Sequence, residues 1–137
     1  MNLRQMYEYL VNIGIEKDPR GKKEIEIILK ERNKEYSLLG KEKKDKFDID
    51  TLTNPYHDSR IIYGTGKETV KSVMAGIDIE TPELLLANQL RLSGKKIDLV
   101  LAHHPEGKAY STFHNVIAMQ SEIMEEQGVP INIAQKL

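Results

Sequence analysis

The chain has 137 residues, a length that suits one domain with its own hydrophobic core. Its 20 basic and 21 acidic residues leave a formal net charge of −1, so the overall charge that attracts proteins to nucleic acid is missing. No cysteine is present, which excludes disulfides and leaves imidazole and carboxylate groups to hold any metal. Without an apolar run or a leader-like start, we predict a cytoplasmic protein with no membrane or nucleic-acid partner.

Two amphipathic helices are predicted before residue 40. In the first, apolar side chains recur every three or four residues as far as Gly14; they are Leu3, Met6, Tyr7, Leu10 and Val11. Asp18 is expected to cap the second helix, with Pro19 at its first position. That helix is predicted to bury one narrow face, formed by Ile25, Ile28, Leu29, Arg32 and Tyr36.

The next segment is highly polar. Residues 40–48 mix lysines with acids, and because the charges cancel, a solvated helix or linker is favoured over a nucleic-acid patch. Turn-forming residues between Asp50 and Ser59 then predict an irregular connection. His57 is interpreted as part of a turn in that connection.

Short apolar runs separated by helices follow, a pattern typical of βαβ units. Strands are predicted at 60–63, 72–79, 97–102 and 129–134, and helices from Thr81 and from Ser111 or Thr112. The fold class is therefore α/β, a parallel doubly wound sheet with βαβαβ order after two amino-terminal helices. We expect one domain over 1–137, with a helical extension at 1–50 and a βαβ core at 60–137 that is incomplete at its carboxyl end.

Candidate site residues follow two of these strands. Asp78 lies at the end of the second strand, and the run from His103 through His104 to Glu106 follows the third. Ligands of parallel sheets collect at the carboxyl ends of the strands, so we predict that His103 and His104 bind a metal. Asp78 and Glu106 are the candidate catalytic or orienting groups. The ligand chemistry suits a divalent ion such as zinc, iron, manganese or nickel, without choosing between them.

Each of these residues also has a plainer explanation. Paired histidines in a loop are commonly surface residues, Asp78 could cap the helix that begins after Thr81, and Glu106 could be a solvent-facing acid. The position of the histidine pair at a strand end strengthens the metal interpretation. The residues by themselves leave both explanations open.

Two of the apolar strands resemble the Nif-three-like family, also called GTP cyclohydrolase type 2-like proteins. Residues 97–105, which end in His103-His104-Pro105, resemble the strand that delivers a His-His-Pro to a dinuclear metal centre in that family. Residues 74–79, which contain Asp78, resemble an earlier strand with its aspartate. Residues 18–21, 52–56, 60–64 and 128–132 resemble a longer prokaryotic branch, so the likeness spans nearly the whole chain.

The resemblance implies a site for two divalent ions, with His103 and His104 among the ligands. It also implies that the other ligands, an aspartate and a distant His/Glu pair, come from regions beyond residue 137, and that a homo-hexameric ring encloses the sites. We therefore hypothesise a metal-binding protein of hydrolase type, acting on a small nucleotide or phosphoester-like substrate. The alternative is a non-enzymatic module for oligomerisation or partner binding, with a vestigial metal site.

Overall fold

The computed structural model describes residues 1–136 as a mixed α/β protein, in which amino-terminal helices precede two parallel strands separated by a helix. The helices are α1 (Leu3–Lys17), α2 (Lys22–Leu38), α3 (Lys41–Lys44), α4 (Thr81–Leu92), α5 (Lys108–Ser111), α6 (His114–Glu126) and α7 (Ile131–Ala134), with a 3-10 helix at Ile49–Leu52. The strands are β1 (Val73–Gly76) and β2 (Leu99–Ala102). Within the described residues, no helix is long and apolar enough to cross a membrane.

Helix α1 begins at a capping box and runs further than predicted. The side chain of Asn2 accepts a hydrogen bond from the backbone N–H of Gln5, and the Gln5 side chain accepts one from Asn2. Leu3 and Val11 are buried, as the apolar stripe predicts, whereas Leu10 of the same stripe is 43% exposed. The helix continues through Gly14 to Lys17, because glycine weakens a helix without ending it where the surrounding residues are helix formers.

Asp18 does not cap α2, so the predicted start of that helix is wrong. Helix α2 begins at Lys22 after Gly21, whose φ of +81° is a conformation that glycine adopts without strain. The carboxylate of Asp18 instead accepts hydrogen bonds from the backbone and guanidinium of Arg20 and from the Tyr56 hydroxyl. The tertiary contact with Tyr56 therefore replaces the local cap.

The buried face of α2 and the polar segment that follows this helix agree with the predictions from the sequence. Ile25 is 1% exposed and Arg32 is half-buried on α2. Residues 40–48 contain the short helix α3 and an exposed ion pair between Glu42 and Lys46, at 3.4 Å. This confirms the prediction of a solvated segment with i,i+4 pairing.

The predicted strand at 60–63 is not formed. The Arg60 guanidinium donates to the Asp48 carboxylate at 2.6 Å and to the backbone oxygens of Tyr56 and Ser59. These bonds hold the segment against the preceding connection, and among the described residues it pairs with neither β1 nor β2. Tyr63 is consequently 95% exposed.

The sheet consists of β1 and β2, which confirms the predicted strands at 72–79 and 97–102 with shorter bounds. They pair in parallel, with Val73 opposite Leu99 and Gly76 opposite Ala102. Helix α4 connects them; its N-cap is Glu80, one residue before the predicted Thr81. It ends at Leu92, and Gly94, with a φ of +90°, follows the C-cap Ser93.

The predicted strand at 129–134 is wrong, because this segment forms helix α7. Gly128 ends α6 with a φ of +90°, and the chain then reverses. Helix α7 packs against α6, where the Ser121 hydroxyl lies 3.4 Å from the carbonyl oxygen of Ala134. Of the two predicted helix starts, Ser111 is the last residue of α5 and Thr112 lies between α5 and α6, which begins at His114. Residues 1–136 contain one βαβ unit rather than the full βαβαβ order.

Candidate functional site

The predicted site lies where β1 and β2 end. The backbone N–H of His103 donates to the Gly76 oxygen, and that of His104 donates to the Ile77 oxygen, both at 2.9 Å. The pairing of the two strands therefore continues for two residues past β2. It brings the segment that carries Asp78 alongside the histidine pair, as the parallel βαβ arrangement predicts.

The two imidazole rings lie close together rather than on opposite faces. Their centroids are 5.2 Å apart and their planes are inclined by 35°. His104 Nδ1 is 2.7 Å from Asp78 Oδ1, which is hydrogen-bonding distance. If this nitrogen carries the proton, the Nε2 lone pair of His104 is free for a metal, an arrangement common among metal-binding histidines.

The site is open to solvent. The side chains of His104 and Asp78 are 55% and 66% exposed. Among the described residues, no three histidine or acidic side chains are grouped so that they could hold a metal ion. The two imidazoles thus supply part of the ligand set that a structural or catalytic zinc requires.

Glu106, the second catalytic candidate, stands apart from this group. Its backbone oxygen accepts hydrogen bonds from Ala109 and Tyr110 at the start of α5. Its side chain is exposed and makes no hydrogen bond or ion pair within residues 1–136. The structure therefore joins Asp78 to the histidine pair but leaves Glu106 free in the following loop.

A second polar group was not predicted, and it lies in the helical half. We call it the Asn54 cluster; it comprises Tyr7, Asp18, Arg20, Arg32, Asn54, Tyr56, His57 and Ser59. Asn54 is 1% exposed. Its amide donates to the Tyr7 hydroxyl at 2.7 Å and to the Ser59 oxygen at 2.8 Å, and its side-chain oxygen accepts the Tyr56 backbone N–H at 2.8 Å.

His57 joins three parts of the chain in this cluster. Its Nε2 lies 2.7 Å from Nη2 of Arg32 in α2. Because a guanidinium can only donate, His57 Nε2 is the acceptor and the proton of the neutral ring is on Nδ1. The hydroxyl of Thr112 donates to the His57 backbone oxygen at 2.9 Å, and the amide of Asn115 lies 3.5 Å from Nδ1. The turn predicted at His57 is therefore also a tertiary junction.

Burial and charge shift the pKa values of several groups in the cluster. Burial lowers the pKa of His57, and the positive charges of Arg32 and Arg60 lower it further. Burial raises the pKa of Asp18, but the hydrogen bonds from Arg20 and Tyr56 outweigh it, so the net pKa lies below the usual value. Groups with perturbed pKa values that gather in one cluster are candidates for a functional site.

Sequence periodicity could have found only part of this cluster. Arg32 falls on the predicted buried face of α2, which was a signal that its charge needs a partner. The run from Asn54 to Asp58 was interpreted as turn chemistry alone. The density of hydrogen-bonding side chains in that run was the remaining signal, since buried polar groups are almost always paired.

The comparisons with known proteins add no assignment to this geometry: no family model, no curated protein and no solved structure matches the chain.

Proposed function

We propose that this protein binds divalent metal through His103 and His104 and is of hydrolase type, acting on a nucleotide or phosphoester-like substrate. One observation carries the proposal. The two imidazoles lie side by side at the carboxyl ends of parallel strands, and Asp78 is within hydrogen-bonding distance of His104. A carboxylate behind a histidine fixes the ring and raises its basicity toward a metal.

In this proposal, each residue has a defined task. A divalent ion, when bound, would polarise a phosphoryl oxygen of the substrate and lower the pKa of a water molecule at the ion. Asp78 positions His104 and sets its tautomer. Glu106, whose exposed carboxylate follows the histidine pair, is the candidate proton acceptor.

The same proposal places the chain in the Nif-three-like family and its βαβ unit in a larger, doubly wound parallel sheet. Two imidazoles fit such a metal site only in part, since tetrahedral zinc needs four ligands. The resemblance supplies the remainder as an aspartate and a distant His/Glu pair outside these residues, in a hexameric ring around two ions. Zinc, iron, manganese and nickel all suit the two imidazoles with added carboxylates.

Metal retention tests this proposal directly. The purified chain would be loaded with zinc or manganese, dialysed, and measured by elemental analysis. We expect retained metal in the native chain and its loss in His103→Ala and His104→Ala. His114→Ala is the matched control, because this exposed histidine lies in α6. Equal retention in all variants, or none in the native chain, would refute metal binding by the pair.

Activity requires a separate measurement. Hydrolysis of a nucleoside triphosphate and of a chromogenic phosphoester would be followed with and without added metal. The proposal expects turnover that needs metal and falls in both histidine variants. Metal retention without such turnover would leave a metal-binding protein that is not a hydrolase of these substrates.

A non-enzymatic module for oligomerisation or partner binding, with a vestigial metal site, is the second candidate. The exposed apolar surface around the βαβ unit favours it: Leu84, Leu85 and Leu86 of α4 are 53%, 58% and 51% exposed, and Ile77 is 62% exposed. Parallel sheets are almost always covered on both faces. Such a surface commonly marks a protein contact.

The oligomeric state tests this candidate. Light scattering after size exclusion would be compared for the native chain, Leu85→Ser, and Leu38→Ser as a control on the helical half, where Leu38 is 78% exposed. Assembly that is metal-independent and lost only in Leu85→Ser supports the module. A monomer at all concentrations removes self-assembly from this explanation.

A further inference from the structure

A cavity of about 200 Å³ opens beside the Asn54 cluster, between α2, residues 55–58 and α6. Its apolar wall includes Ile28, Val116 and Met119, and its polar wall includes Arg20 and Arg32. Mixed walls of this kind, with a few convergent polar groups, are typical of small-molecule sites. The volume suits a ligand of a few heavy atoms. None of the lining residues belongs to the His103 and His104 pair.

The two arginine side chains of the polar wall differ in their ion pairing. Arg20 donates to the Asp18 carboxylate through Nε and Nη2, at 3.0 and 2.9 Å. Its Nη1 group has no acceptor within residues 1–136 and is available to a ligand. Arg32 forms no ion pair with any carboxylate of the described residues; its guanidinium donates to the backbone oxygens of Asn54 and Pro55 and to His57. Its half-buried positive charge therefore has no carboxylate in contact in that part of the chain, and Glu35 is the smallest of the influences on its pKa.

We propose that this cavity binds a small oxyanion, such as inorganic phosphate or the phosphate or carboxylate end of a small metabolite, between Arg20 and Arg32. Arg20 offers its free Nη1 donors to the anion. Arg32 adds positive charge, while its Nη1 and Nη2 groups already donate to Asn54, Pro55 and His57. The amide nitrogen of Asn115 lies 3.5 Å from the protonated Nδ1 of His57 and cannot donate to it, so it supplies a further donor for a ligand.

Two carboxylates on the rim set the expected selectivity. Glu122 and Asp58 also line the cavity. Asp58 accepts the Ser59 hydroxyl at 3.1 Å, and Glu122 lies near enough to Arg20 to raise the pKa of that guanidinium, after the larger effect of the hydrogen bond with Asp18. These acids oppose an anion, so removing one of them should tighten binding. That sign distinguishes a cavity for anions from one for cations.

His57 provides a reporter inside the site. It lines the cavity and faces Arg32, Arg60, His114 and Asp58. The positive neighbours oppose its protonation, so an anion bound beside Arg32 should raise the pKa of the imidazole. A site elsewhere on the surface would leave that pKa unchanged.

The main experiment is a titration of the full chain with inorganic phosphate and, separately, acetate, at constant ionic strength set by sodium chloride. Calorimetry gives the dissociation constant, and the nitrogen chemical shifts of His57 give its pKa. We expect saturable binding of at least one anion with a rise in the His57 pKa. Phosphate binding alone identifies a phosphate ligand, and acetate binding at least as tight identifies a carboxylate.

A matched pair of variants keeps the test independent of folding. Glu122→Gln and Glu125→Gln change the net charge equally on exposed positions of α6, but only Glu122 lines the cavity. We expect Glu122→Gln to tighten binding roughly threefold, the order of a partly exposed charge interaction, and Glu125→Gln to leave it unchanged. Arg32→Gln should weaken binding by about tenfold or more, because the cavity loses a half-buried positive charge.

Three results would overturn the proposal. These are the absence of saturable binding by either anion, an unchanged His57 pKa at saturation, and equal effects of Glu122→Gln and Glu125→Gln. If Arg32→Gln fails to fold, the glutamate pair and the His57 titration still decide the question. Failure here leaves metal binding at His103 and His104 untouched, because the two sites share no residue.

Discussion

The two polar groups of this protein differ in their exposure to solvent. The first, which we call the histidine edge, comprises Asp78, His103 and His104; there Asp78 and His104 share one hydrogen bond, and both side chains are more than half exposed. In the Asn54 cluster, a side chain that is 1% exposed makes three hydrogen bonds to three different residues. Water can replace a lost bond at the edge but not at the buried Asn54 side chain.

That difference separates Asn54, whose buried side chain stabilises the fold, from the pair of Asp78 and His104, which solvent and ligands can reach. Polar contacts in a dry interior are costly to break because the remaining partners stay unsatisfied. Exposed contacts contribute little to folding, so a well-formed exposed pair such as Asp78 and His104 calls for another explanation. Variants in the Asn54 cluster and at Asp78 test this difference.

Asn54→Ala is expected to give the largest effect. It removes the acceptor of the Tyr56 N–H and a donor to both Tyr7 and Ser59. We expect a loss of about 3 kcal/mol in the free energy of unfolding, measured by urea denaturation. Asn12→Ala, at an exposed position of α1, is the control and should change stability by less than about 0.5 kcal/mol. Similar losses in both variants would contradict the special role of Asn54.

At the histidine edge, Asp78→Asn should act on metal and not on folding. The amide keeps the size of the carboxylate but loses the charge that sets the His104 tautomer. We expect metal affinity to fall roughly 10- to 100-fold. Stability without metal should change by less than about 0.5 kcal/mol. Competition with a chromogenic chelator measures the affinity, and a large loss of apo stability would instead make the pair structural.

Gly14→Ala tests the packing of the cluster against α1. Alanine normally stabilises a helix interior by about 1 kcal/mol relative to glycine. Here an added Cβ would lie 2.9 Å from Cε2 of Tyr56, whose hydroxyl is held by Asp18. We therefore expect a net loss of about 1–2 kcal/mol in thermal or urea unfolding. Gly40→Ala, where the added Cβ meets nothing within 4 Å, should show no such loss.

The smallest expected effect is a pH dependence of stability from His57. Its pKa in the folded protein is lowered, chiefly by burial and then by Arg32, so the unfolded chain takes up the proton first. The stabilising effect of the neutral ring is complete above the unfolded pKa of about 6.5 and is lost as pH falls below it. Urea unfolding at pH 7.5 and 5.5 should show a smaller pH effect in His57→Gln than in the native chain.

Local patterns in the sequence predicted the elements that depend on neighbours along the chain. The stripe of α1, the narrow face of α2 with Arg32, the polar segment with its Glu42 and Lys46 pair, and both strands of the βαβ unit are all present. Their formation follows from periodicity and from charge spacing, which act over a few residues. The placement of Asp78 beside His104 also followed, because adjacent parallel strands end at one edge.

Contacts between distant residues decided the rest. Asp18 binds Arg20 and Tyr56 instead of capping α2. Arg60 forms an ion pair with Asp48, and residues 60–63 form no strand. The apolar run at 129–134 suits a strand or a helix equally, and its packing on α6 selects the helix. Burial of Asn54 and of the Arg32 charge is likewise a tertiary effect, since a residue's exclusion from water depends on chain segments that its local sequence does not specify.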